Sequence, residues 1–167
     1  MLDVQTVIST RAKVLAERIL QGAAALEQYS KCLSGTDWQT PVAGDGRSVG
    51  VVVHHVASSY PVEIELALML VSGQPISDMT MTVVDQMNAE HALQNAATGQ
   101  QETLALLRRN SRAAAEAVRA LTDNDLENSA TVSLNADAPL TAQFFIEDHA
   151  LRHSYHHLAR IKATLSH

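Results

Sequence analysis

Four long stretches of this chain place apolar residues at intervals of three and four, the period of an α-helix with one buried face. In residues 4 to about 32, Ile8, Ala12, Leu15, Ile19, Ala23, Leu26 and Tyr29 keep that rhythm without a proline. Gly35 stands where it could close this helix in the left-handed conformation. Trp38, Pro41 and Gly44-Asp45-Gly46 mark a loop over 35–47, and Ser48 is the expected N-cap of a second helix running to Val71. Pro61 inside that helix predicts a kink or a split near Ser58-Ser59. The third stretch starts between Met81 and Val84. Unbroken to Leu121 it would be about 60 Å long, against about 40 Å for its neighbours, so a break is expected near 98–99. Thr98 and Gln101 have the spacing of a capping box there. A turn of helix is expected at 122–126 and a loop at 132–134. The last helix follows Pro139 and runs from about 140 to 166.

Four such helices joined by short polar segments predict an all-α four-helix bundle, one domain over residues 1–167. Strand-like alternation is nearly absent. Hydrophobic residues make up 46% of the 167, enough for a substantial core. The single cysteine, Cys32, excludes an internal disulfide framework. No secretory signal is visible and no apolar run could span a bilayer, so a cytoplasmic protein without a membrane partner is expected. The net charge of -6 and the absence of a basic stripe argue against nucleic acid as a partner.

The compositional anomaly is histidine. Four of the eight lie between 149 and 157. On a last helix whose buried stripe is Ala142, Ile146, Ala150 and Ile161, His157 falls near the centre and His153 within roughly 40° of it. His149 sits at the edge and His156 further out, so His153/His157 is the preferred inward pair and His149/His153 the second choice. A second apolar face through Phe144, Leu151 and Leu158 could meet another helix or a second subunit. On the second helix, the stripe through Val51, Val52, Val62, Leu66, Met69 and Leu70 places His55 at its centre. His54 points about 100° away. Val53, Ile64, Leu68 and Val71 form a competing face. Ser59 and Glu63 share His55's side. On the third, Asn88 is a polar residue on the inward stripe of Val84 and Ala92, with Asp85 and His91 at its flanks.

A buried imidazole needs a partner for each ring nitrogen, and several together are costly without a common ligand. A divalent metal is such a ligand, and three protein ligands leave a coordination position open. A histidine core bonded only to itself is the competing structural reading. His-Glu-x-x-His and Glu-x-x-His are absent, which disfavours zincin and di-iron carboxylate sites.

Ser48-Val49-Gly50-Val51-Val52-Val53-His54-His55-Val56-Ala57, preceded by Pro41 and Gly44-Asp45-Gly46-Arg47, resembles the helix-two signature of the DinB/YfiT-like superfamily. His153-Ser154-Tyr155-His156-His157-Leu158-Ala159-Arg160-Ile161 resembles its C-terminal His-x-x-x-His motif, with Ala159-Arg160 where many members have Gly-Gln. The resemblance implies an up-down-down-up bundle, often a homodimer, with a divalent metal on His55, His153 and His157. Zinc or nickel is the first expectation, iron or copper the next. It also implies a metal-dependent enzyme that activates water or a small thiol, as in thiol S-transferases and maleylpyruvate isomerase-like proteins. A small-molecule substrate, with a low-molecular-weight thiol as co-substrate, goes with that reading. Asn88, Glu63 and His91 are the candidate catalytic residues lining the cleft, with Ser59 and Glu147 as further contacts. The alternative is a non-catalytic metal- or ligand-binding stress-response bundle.

Overall fold

The first apolar stripe becomes α1, Thr10–Lys31, which buries Ala12, Leu15, Ile19, Ala23 and Leu26. Ser9 caps it by accepting the Ala12 amide at 3.0 Å. The computed structural model describes residues 9–166, so the expected helical residues 4–8, Ile8 among them, lie outside the described residues. Gly35 does not close α1. Ser34 and Asp37 form a reciprocal capping box that opens a second, short helix, α2 (Gly35–Gln39), inside the segment expected as loop. The box satisfies two amides there, and Gly35 becomes the first helical residue. α2 seats Trp38 in the core, its indole N–H donating to the Thr98 carbonyl at 3.0 Å.

Helix α3, Val49–Val71, passes through Pro61 without the expected split. Proline removes the amide that would bond the Ala57 carbonyl. Asn110, from the helix alongside, supplies the missing donor: its Nδ2 lies 2.9 Å from that oxygen. We expect Asn110→Leu to cost about 1–3 kcal/mol, since it strands a buried carbonyl. In a Pro61→Ala background, where an amide returns, the cost should shrink by roughly 1 kcal/mol in a double-mutant cycle of denaturant unfolding. Equal costs in both backgrounds would show that Asn110 does not serve this carbonyl.

The third stretch is interrupted as expected. Helix α4 spans Met81–Gln94 and α5 spans Gln100–Arg119. The capping box does not form. Gly99 is the N-cap, and the Thr98 hydroxyl is 2.8 Å from that of Thr103. Gln100 donates to the Ser30 and Leu33 carbonyls, tying the start of α5 to the end of α1. α5 buries Leu104, Leu107, Ala114 and Val118, whereas α4 buries no residue.

After α6 (Asp123–Glu127) comes a hairpin that periodicity could not show: β1 (Ser129–Thr131) pairs antiparallel with β2 (Pro139–Thr141). Of residues 132–134, expected as loop, Ser133 and Leu134 join Asn135 in a single 3-10 turn within it. Ile76 bonds to Thr131 and Ser133, fastening the segment after α3 to the hairpin. Pro139 lies in β2, so the last helix starts at Ala142. It runs as α7 (Ala142–Ile146), a π-turn over Glu147–Leu151, and α8 (Arg152–Leu165).

Helices α1, α3, α5 and the α7–α8 rod form the four-helix bundle, with up-down-down-up topology. Ile19, Leu26, Val52, Val53, Tyr60, Leu70, Leu107, Ile146 and Ile161 fill its centre. The stripe of α3 expected to be core proves mixed. Val51, Val52 and Leu70 are buried, but Val62 is 44% exposed and Leu66 only half-buried. The continuous core face is Val49, Val52, Val53, Val56, Tyr60, Ile64, Ala67 and Leu70. His55, Val62 and Leu66 instead line an open cleft between α3, α4, the hairpin and α7–α8. No helix among the described residues is long and apolar enough to cross a membrane.

Candidate metal centre

Two helices bring three imidazoles together at the wall of this cleft. His55 comes from α3, and His153 and His157 stand one turn apart on α8. One nitrogen from each lies within 4.8 Å of the others. His55 Nε2 and His153 Nε2 are 3.2 Å apart. Two nitrogens on one tetrahedral zinc at about 2.05 Å would stand about 3.3 Å apart, so this pair has the spacing of one edge of such a site. His157 is buried, and the other two are half-buried.

Electrostatics suit ligation. Burial first, then the neighbouring His153 ring and the Arg47 guanidinium, pull His55 down to about 2. Burial, then His153 and His156, bring His157 to about 3. Both rings are therefore neutral at neutral pH, the form that offers a lone pair to a metal. Glu63 Oε1 lies 2.7 Å from His153 Nδ1, within bonding distance though off the ideal line of the ring. That carboxylate stands where a group orienting a ligating histidine is commonly found, although His153 Nδ1 makes no hydrogen bond in this geometry. His157 Nδ1 is buried without a partner among the described residues.

A family model described as the DinB superfamily matches residues 18–161. The chain belongs to the DinB superfamily. Among solved structures, YfiT from Bacillus subtilis is similar over 98% of this chain and 91% of its own, at 19% identity and a TM-score of 0.74. YfiT is described as a probable metal-dependent hydrolase with an unusual four-helix bundle topology. No curated protein matches.

The remaining candidates of this DinB-superfamily chain separate clearly. Asn88 and His91 project from α4 into the cleft, while Asp85 is exposed. His91 Nε2 lies 2.9 Å from His54 Nδ1 and 3.2 Å from the Ser58 hydroxyl, and its Nδ1 is buried without a partner among the described residues. Burial, then His54, lowers His91 to about 4. His54 thus turns away from the three-histidine cluster as its phase anticipated, but toward α4 rather than solvent. The Ser59 hydroxyl donates to the His55 carbonyl at 2.8 Å on the cleft side. Glu147 accepts from Gln143 and does not line the cleft. His149, the second-choice partner of His153, stacks on Phe145 with ring centroids 4.1 Å apart. His156 is exposed at the rim. Sequence reasoning did not assign Arg47 or Asp45 a role. Their Asp-x-Arg spacing was the available signal, but only the fold shows that Arg47 lines the cleft with Asp45 paired to it.

Proposed function

We propose that the protein is a metal-dependent enzyme of hydrolytic type, with a divalent ion, zinc or nickel, held by His55, His153 and His157. The observation that carries this is the convergence of three imidazole nitrogens within 4.8 Å at the wall of a cleft of about 870 Å³. A catalytic site needs that combination, three nitrogen ligands and an open side large enough for a small molecule. The description of YfiT as a probable metal-dependent hydrolase supports the same reading.

When bound, the ion supplies Lewis acidity toward a substrate oxygen or a nucleophile, either water or a low-molecular-weight thiol. Glu63 is a positioning residue: it stands beside His153 Nδ1. Asn88 offers both a donor and an acceptor from the opposite wall. Neutral His91 is fixed at Nε2 by His54 and Ser58 and presents Nδ1 for a hydrogen bond to substrate.

The test is metal content followed by turnover. Protein purified without a metal-affinity step should carry close to one divalent ion per chain by mass spectrometry. Ester, amide and thiol-acceptor substrates should be turned over only until chelator is added, and again after zinc or nickel returns. A protein that holds no ion, and gains no thermal stability from added zinc or nickel, ends this proposal. Stoichiometric metal with no turnover on any substrate class would favour the non-catalytic binding bundle.

A further inference from the structure

Arg47 lines the same cleft, one residue before the N-cap of α3. Its guanidinium is gripped along one edge by Asp45: Nε donates to Oδ1 at 2.6 Å and Nη2 to Oδ2 at 2.9 Å. Asp45 also accepts from Arg160 Nη1 at 3.2 Å, and Arg160 Nη2 donates to the Ala43 carbonyl. One carboxylate is thus shared by two cations, which leaves one positive charge unmatched in a largely buried cluster. The remaining nitrogen, Arg47 Nη1, is buried and has no hydrogen-bond partner among the described residues. A charged donor stripped of water and left unbonded is destabilising by more than a neutral one.

The opposite character marks the rest of the cleft. Val62, Met81, Met87, Leu134 and Phe144 are 41–61% exposed around it, an apolar wall with no covering element among the described residues. A cleft that holds one unpartnered, pre-oriented cationic donor and such a wall has the form of a receptor for an amphipathic monoanion. A dianionic phosphate would call for more donors than the single nitrogen Asp45 leaves free.

We infer that Arg47, oriented by Asp45, binds the carboxylate of the substrate, and that the substrate is a small carboxylic acid with an apolar body lying along Val62, Met81 and Phe144. This deepens the metal-dependent reading and rests on it only for what happens at the reacting end. The carboxylate site itself does not require the ion.

Octanoate and octanamide, alike in shape and different in charge, are the probes. Both are titrated by calorimetry into the full chain, once metal-free and once zinc-loaded, with zinc content measured in the same samples. Wild type should prefer octanoate by about tenfold or more in both states, the worth of a charge-assisted bond. Arg47→Gln should lose that preference, bind octanamide as wild type does, and retain its zinc. Arg47→Lys should recover part of the preference. If zinc-loaded Arg47→Gln still prefers octanoate, the carboxylate sits on the ion and the inference fails. Equal binding of the two probes by wild type overturns it without any variant, so a poorly folded mutant does not protect it. A failure of wild type to take up zinc removes the zinc form of the proposed function, yet the metal-free titration still tests Arg47 independently.

Discussion

His157→Ala is expected to weaken zinc binding on the order of a hundredfold or more, because it removes one of three nitrogens that must act together. The folded state itself should change little. The ring is buried, but its Nδ1 has no partner among the described residues, so alanine leaves a small cavity and also removes an unsatisfied polar atom. The two effects oppose each other, and the metal-free variant should unfold within about 1 kcal/mol of metal-free wild type. The contrast appears on adding zinc. Wild type should gain thermal stability in proportion to the logarithm of free zinc over its dissociation constant, and the variant should gain almost none at the same concentration. Glu63→Gln is the graded comparison. It keeps all three ligands and alters only the group beside His153 Nδ1, so a loss of about 10–100-fold is expected. If both variants bind zinc like wild type, the three histidines are a core cluster and not a metal centre.

Gly50→Ala is expected to be the most damaging single methyl group in the protein. A Cβ at Gly50 would lie 2.4 Å from Trp38 Nε1 and 2.6 Å from its Cε2. The indole cannot step aside cheaply. It is buried and donates to the Thr98 carbonyl, so displacing it breaks that bond and opens the joint between α2 and the loop before α5. Overpacking and partial loss of a buried tryptophan together cost ~3 kcal/mol or more, several times the ~1 kcal/mol that alanine gains over glycine inside a helix. Gly22→Ala provides the control. Its Cβ would meet Tyr155 at 2.9 Å, but that ring is 39% exposed and can swing outward. Chemical denaturation should show a large shift for Gly50→Ala and a change near zero for Gly22→Ala. Comparable shifts would mean that Trp38 is as free to move as Tyr155.

The parts of this molecule that could be read from its residues are those governed by local period. His153 and His157 share a face because they are four apart on one helix, and His55 shares theirs because α3 stays in phase from its Ser48 cap. The break before α5 followed from Gly99 and from simple length. What failed depended on partners distant in sequence. Val62 and Leu66 are as apolar as any core residue, and only the arrangement of α4 and the hairpin shows that they face a cleft. Pro61 should bend or split an isolated helix, and the split does not occur: Asn110, on a different helix, bonds the carbonyl that lost its amide. Three-residue strands are too short to display alternation, so β1 and β2 left no periodic trace. Ser34-x-x-Asp37 is a readable start signal, but Gly35 beside it reads equally well as a stop. Arg47 gave no hint of a free nitrogen, since that depends on Asp45 occupying its other edge.

The Asn110 bond has a meaning beyond the carbonyl it satisfies. α3 and α5 run side by side in the same direction, and apolar ridges between parallel rods resist separation better than sliding. A side-chain amide seated on one chosen backbone oxygen acts against sliding. A slip of a single residue would carry α3 by about 1.5 Å along its axis. His55, two residues from Ala57, would move with it, by close to half the 3.2 Å that separates its Nε2 from that of His153. α5 lends no side chain to the cleft, yet through Asn110 it sets the height at which one wall of the candidate metal centre stands against the other.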